Sequence, residues 1–313
     1  MSRAWPWLRL AVGVAVLVVL LGLFGTGPFV DAWHKTTWPA VLAALVLTAM
    51  ATLTSAWRWR VVARSIGVPL TVRKSITAYY RSQFLNSVLP GGVLGDAHRA
   101  VRHGRSSGSL GTGVRATMWD RLGGQVVQIA VAVLALALLP TAWRGSATGT
   151  VAIVALLSGL VVVAIVVRRR SDAWPTRDLR AMLRPSALVA LVVASCGSTF
   201  AHLAVLLVAV RSVGVDASPA VLVATGLVVL VGSAIPLNVA GWGPREGVTA
   251  WAFGIVGLGA AAGLTVSVVY GLLAAVATLP GALVLTGDVL TKRRIRQTEP
   301  VDAEPEPVEA GRG

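Results

Sequence analysis

Ser87-Val-Leu-Pro90-Gly-Gly-Val93-Leu-Gly95-Asp96-Ala-His-Arg99 is matched further along the chain by Ser233-Ala-Ile-Pro236-Leu-Asn238-Val239-Ala-Gly241-Trp-Gly243-Pro-Arg245. Ser, Pro, Val, Gly and Arg fall at identical spacings. Each copy interrupts an apolar stretch, Ile76–Gly95 in the first case and Pro219–Gly259 in the second. Proline removes a helix hydrogen bond and glycine loosens the backbone, so both stretches read as broken helices. The flanking apolar runs are long enough to cross a bilayer. Leu8–Phe24 and Trp38–Trp57 precede the first broken stretch, and Leu122–Leu139 follows it. Thr150–Val167 and Ser186–Val210 precede the second, and Leu264–Leu285 follows it.

Each half thus holds two crossings, a broken segment and a third crossing. Three is odd, so the second half is expected to enter the membrane inverted. The expected fold class is an all-α polytopic membrane protein with six full crossings, two broken or re-entrant segments and an inverted internal repeat. Pro219–Ile235 is long enough to cross alone, so eight crossings with the same termini stay open. The repeat divides residues 1–296 into halves of about 1–145 and 146–296. Residues 297–313, rich in Pro, Glu and Ala, are expected to form a disordered polar tail. Leu8–Phe24 follows Arg3 and Arg9 as a signal peptide would, but no small-x-small cleavage site follows it. It is expected to stay as a helix.

Composition agrees with this reading. Of 313 residues 55% are apolar and 13% are charged, about half the charged share of a soluble domain. Helices satisfy their own backbone in lipid, and the Val- and Ile-rich runs lack the alternation of a membrane barrel. The net charge of +15 does not signal nucleic acid, because the basic residues form short clusters between apolar runs. Most lie in Arg58–Lys74, Arg99–Arg121, Arg168–Arg184 and Lys292–Arg296, whereas the opposite loops hold Lys35, Arg144 and Arg211. The positive-inside rule puts the rich loops and both termini in the cytoplasm. Ile76–Gly95 has such clusters on both flanks, so it is expected to dip in and return. Trp38, Trp57, Trp119 and Trp143 fall where an interfacial aromatic belt belongs. Cys196 is the only cysteine, which excludes an intrachain disulfide and a cysteine metal cluster.

Charge at lipid depth is costly and normally faces a partner or a wet cavity. Arg81 and Arg245 fall inside the broken segments, Arg99 stands at the mouth of the first, and Asp96 and Glu246 are the matching acids. Unwound backbone beside Pro90, Gly95, Pro236, Gly241 and Gly243 is expected to offer N–H groups, and half-helix N-termini attract anions. The Arg fork suits phosphate. These residues describe a site for a phosphate-bearing headgroup. The structural alternative has Asp96 pairing Arg99, and Glu246 pairing Arg245 or Arg81, only to hold the loops. Asn86 and Asn238 are placed to bond freed backbone or a headgroup. Asp120-Arg121 reads by itself as an interfacial anchor, Tyr79, Tyr80 and Gln83 as packing, and His98 and His103 as headgroup-facing. His202 is expected to be neutral and hydrogen-bonded. No Walker A sequence, HExxH motif or paired His–carboxylate motif occurs, so no nucleotide hydrolysis, metal or other cofactor is expected.

The stretch Arg81-Ser-Gln-Phe-Leu-Asn86 through Arg99 resembles the first signature of the lysylphosphatidylglycerol synthase transmembrane (flippase) domain family. Asp120-Arg121-Leu-Gly-Gly resembles its acidic-Arg-Leu element, and Ser233 through Gly241-Trp-Gly243-Pro-Arg245-Glu246-Gly its closing element. The elements occur in family order, and the resemblance covers about residues 8 to 290. Trp242 and Pro244 depart from the small residues the closing element leads one to expect. The resemblance implies a multi-pass protein of the bacterial cell (inner) membrane that moves phosphate-bearing or aminoacylated lipids between leaflets. It brings Asp120 and Arg121 into the substrate-binding set. In two-domain members a soluble transferase follows; here a short polar tail follows, so the chain is not expected to be an enzyme. Membrane lipids are the expected partners. The alternative is a non-transporting membrane partner of an envelope-lipid or glycosyltransferase enzyme.

Overall fold

The computed structural model describes residues 18–19, 21–89, 92–138, 174–234 and 243–298. Most of Leu8–Phe24, the whole of Thr150–Val167, and Pro90, Pro236, Asn238 and Gly241 lie outside these residues. So does nearly all of the expected tail, although the last helix runs on through Thr298. Among the described residues the fold is all helical, without strands. The helices are α1 (Gly27–Lys35), α2 (Trp38–Ser65), α3 (Val72–Val88), α4 (Leu94–Ser106), α5 (Leu110–Leu138), α6 (Trp174–Met182), α7 (Pro185–Val213), α8 (Pro219–Ser233), α9 (Pro244–Ile255), α10 (Ala260–Thr278) and α11 (Pro280–Thr298).

Four helical stretches are long and apolar enough to cross a membrane: Trp38–Ser65, Leu110–Ala137, Pro185–Val213 and Ala260–Asp288. They correspond to four of the expected crossings, with two boundaries moved. α2 continues past Trp57 to Ser65, and α5 begins at Leu110 rather than Leu122. At 1.5 Å per residue the 28 residues of α2 span about 42 Å, more than the ~30 Å hydrocarbon core. The added turns carry Arg58, Arg115, Asp120 and Arg121 into helices that had been expected to end or start beside them.

An apolar helix in lipid needs a reason to face inward, and α2 supplies one through residue size. Ala40, Ala44, Thr48, Ala51, Thr52, Ser55 and Ala56 recur at helical spacing on its buried face. Leu42, Val46, Met50, Leu53 and Trp57 recur on the exposed one. Small residues let backbones approach, and α2 packs along α7. Ser55 Oγ lies 2.8 Å from Ser198 Oγ across that seam. α10 is buried on most sides and packs against α1, α2, α3, α7 and α9.

Each broken segment is a pair of short helices in contact, α3 with α4 and α8 with α9. Gly95 decides how closely the first pair approaches: a Cβ there would collide with the Ser82 carbonyl oxygen on α3. In the second pair, a Cβ on Gly232 would meet Val248 at 2.6 Å. α8 has 15 residues, about 22 Å, less than a hydrocarbon core. At one end of the bundle Arg115 Nε donates to Asp178 at 2.8 Å, tying α5 to α6. At the other, Lys35 Nζ donates to the Val213 carbonyl at 3.0 Å. Trp38 and Trp57 are exposed as a belt requires. Trp119 is a correction: it is buried and donates to Asp178, because the longer α5 turns it into the bundle.

Candidate functional site

Two clusters of buried charge flank a polar cavity. The first joins four helices. Arg58 on α2 donates from Nε to Asp120 Oδ1 of α5 at 2.9 Å. Tyr79 of α3 donates to Asp120 Oδ2 at 2.6 Å. Arg99 of α4 reaches Asp120 Oδ2 from Nη1 and Nη2 and Asp96 Oδ1 from Nη2, each at 3.0 Å. Arg121 completes the set by bonding Asp96. The guanidinium of Arg99 lies over the rings of Trp59 and Tyr79, 4.5 and 4.2 Å from their centroids. A fork and a flat cationic face are the two things Arg has and Lys lacks, and Arg99 uses both.

Asp120 is fully buried, which corrects its reading as an interfacial anchor. The extension of α5 places it inside, where two Arg and a Tyr meet it. Tyr79 is likewise more than packing, and Arg58 more than a topology signal. His103 is a further correction: it is buried, and its ring stands edge-on to Trp59 at 5.2 Å.

Among the described residues the ion pair of the second cluster is local. Arg245 and Glu246 are neighbours on α9, and Arg245 Nε donates to Glu246 Oε1 at 2.9 Å. Arg245 Nε also approaches Ser267 Oγ of α10 at 3.2 Å, and its guanidinium lies 5.4 Å from the Tyr270 ring centroid. Of the partners considered for Glu246, Arg245 is therefore the one found. Arg81 instead bonds Asp288 of α11, to which Arg102 Nη1 also donates at 2.7 Å.

Two of the N-terminal N–H groups expected to be open, those of Gly95 and Gly243, are in use. Gly95 N donates to Asn86 Oδ1 at 2.8 Å, and Asn86 Nδ2 donates to Asp96 Oδ2 at 3.0 Å. Gly243 N donates to Glu246 Oε2 at 2.6 Å. In α9 a carboxylate occupies the place where a helix N-terminus attracts an anion, and in α4 the Asn86 amide oxygen meets the N–H while Asp96 sits in the first turn.

Between the clusters lies a cavity of about 280 Å³ whose wall draws on α2, α3, α5, α7, α8 and α10. Arg58, Tyr79 and Arg121 of the first cluster and Tyr270 beside the second all line it. Uncharged polar groups complete the lining: Ser55, Gln83, Gln125, Gln128, Ser198, Thr199, His202 and Ser233. His202 Nδ1 lies 2.8 Å from the Ser198 carbonyl, in keeping with a hydrogen-bonded histidine. This lining was readable as polar stripes at helical spacing, Gln125 with Gln128 on α5 and Ser195, Ser198, Thr199 and His202 on α7, but nothing local says that the stripes face one another. Glycines make room for both arginines: a Cβ on Gly124 would meet the Arg58 guanidinium, and one on Gly271 that of Arg245.

Among the described residues no group of three or more His, Cys, Asp or Glu is placed to hold a metal ion. No curated protein matches the chain closely enough to count as a relative. The chain is a membrane protein with several apolar helices, and residues 7–281 match the lysylphosphatidylglycerol synthase TM region, so it belongs to that family.

Proposed function

We propose that the chain is a lipid translocator of the bacterial inner membrane, moving a phosphate-bearing or aminoacylated lipid between leaflets. The observation that carries this reading is the polar cavity walled by helices of both halves, lined by Arg58 and Arg121 of the first cluster and by Tyr270 beside the second. Ligand pockets usually occupy roughly 300–1,000 Å³. At about 280 Å³ the cavity suits a headgroup, and the acyl chains stay in the bilayer. Asp96 and Glu246 balance Arg121 and Arg245 between passages, and a headgroup phosphate competes with them during one, while Asp120 keeps Arg58 and Arg99 in the bundle. The work is binding and release, without covalent chemistry.

The same proposal takes the chain to have six crossings and two re-entrant pairs, with inverted halves and cytoplasmic termini. The short α8, the two helix pairs and the basic loops support that arrangement. Halves that rock about a shared site give alternating access. Residues 1–296 act as one translocating domain, with lipids as its partners and no nucleotide consumed by the chain.

The test is purified protein in liposomes, with leaflet-specific quenching of headgroup-labelled phospholipids. Movement is expected without ATP, with a sharp fall in Arg245→Ala. Failure across anionic, aminoacylated and polyprenyl-phosphate lipids, with folded protein, would overturn the proposal in favour of a non-transporting partner of an envelope-lipid enzyme.

A further inference from the structure

A second cavity, of about 560 Å³, lies between the C-terminal end of α2, the Gly67–Thr71 loop, the first half of α3, and α4. Gly67, at φ +86°, ends α2 and turns the chain into that loop, a conformation other residues adopt only with strain. Lys74, Arg81, Arg99, Arg102 and His103 line this cavity, and among the described residues no carboxylate lines it, although Asp288 beyond it pairs Arg81 and Arg102. Seven buried side-chain atoms among the described residues have no hydrogen-bond partner. Four of them belong to this lining: Trp59 Nε1, Arg81 Nε, Arg99 Nε and His103 Nε2. Their residues are 1%, 4%, 2% and 7% exposed.

Three of these four atoms, the indole and two guanidinium nitrogens, can only donate, and His103 Nε2 donates in the tautomer that carries its proton there. A buried donor left unmet costs roughly 1–3 kcal/mol, and more when charged. Such donors gathered around one basic cavity call for an acceptor with several oxygens. We propose that the cavity binds an oxyanion of the phosphate class, either inorganic phosphate or the phosphate of a lipid headgroup, at a site separate from the central cavity. Arg99 connects the two places. Its Nη groups hold Asp96 and Asp120, so an anion bound here draws on the guanidinium that braces Asp120 beside Arg58 and Tyr79.

The experiment uses the full chain in phosphatidylcholine nanodiscs. Equilibrium binding of labelled inorganic phosphate is measured at constant ionic strength. In a second arm, native mass spectrometry counts phosphatidylglycerol retained from mixed nanodiscs. Arg102→Gln and His103→Phe are compared with wild type after thermal melts establish folding. Saturable binding of one phosphate, weakened about tenfold by each variant, supports the site with a free ion as its source. Phosphatidylglycerol retention without phosphate binding, lost in the variants, supports it with a lipid source. Retention of neither by folded wild type, or equal retention by the folded variants, overturns it. Arg102 is 45% exposed in its side chain, so Arg102→Gln decides the matter if His103→Phe does not fold.

Discussion

The Arg99 and Arg245 regions look equivalent as sequence, yet they are built differently. Arg99 sits in a network that ties α2, α3, α4 and α5 together through Asp120. Arg245 is paired with its own neighbour, and one serine and one tyrosine from α10 stand beside it. A charge shared among four helices cannot leave its partner without loosening all of them. The ion pair of Arg245 with Glu246 runs along one helix, so parting it does not by itself separate helices. The first region is therefore fitted to hold the bundle, whereas the Arg245–Glu246 ion pair itself joins no two helices.

The sharpest way to break this contrast is to remove a carboxylate from one region and the arginine from the other. Asp120→Ala strands the buried Arg58 guanidinium and leaves Arg99 with Asp96 alone. Breaking a single buried pair costs about 3–5 kcal/mol, so this variant should lose most of its folded protein in a detergent thermal melt. Arg245→Ala leaves the fully buried Glu246 with Gly243 N and Ser267 Oγ, so it should melt below wild type but above Asp120→Ala, while losing lipid movement. Equal melting of the two variants would mean that the regions are built alike after all.

Two glycines sharpen the comparison at smaller amplitude. In Gly95→Ala the new methyl meets fixed backbone at Ser82, and overpacking of that kind costs about 1–3 kcal/mol. In Gly271→Ala it meets the guanidinium of Arg245, which can swing. The first should lower the melting temperature clearly. The second should leave it nearly unchanged and show its effect in transport. A Gly271→Ala melt as low as that of Gly95→Ala would show that Arg245 is locked. The smallest effect is expected at Ser198→Ala, which removes one neutral bond to Ser55 on the α2–α7 seam. Such bonds average about 0.6 kcal/mol in a membrane, and a loss above about 2 kcal/mol would make the seam, rather than either charge cluster, the main brace.

The errors of the sequence reading share one cause. Arg58, Asp120, Trp119 and His103 sit close to boundaries between apolar and polar sequence, where a short helix makes them interfacial and a longer one buries them. Extending α2 to Ser65 and starting α5 at Leu110 moved all but His103 into the bundle, and His103 followed because α4 packs its face on Trp59.

The helical character and the apolar runs were legible because each is a local property. Run length, composition and neighbouring charge act over one helix, and a bilayer reads them one segment at a time. The breaks at the Pro- and Gly-containing stretches were legible for the same reason. Pairing was not. Asp120 could be matched to Arg58 and Arg99, and Arg81 to Asp288, only once helices far apart in the chain were packed, because a salt bridge depends on angstroms in space and leaves no spacing in the sequence. The two cavities belong to the same class: each is enclosed by several helices, and no single helix carries its shape.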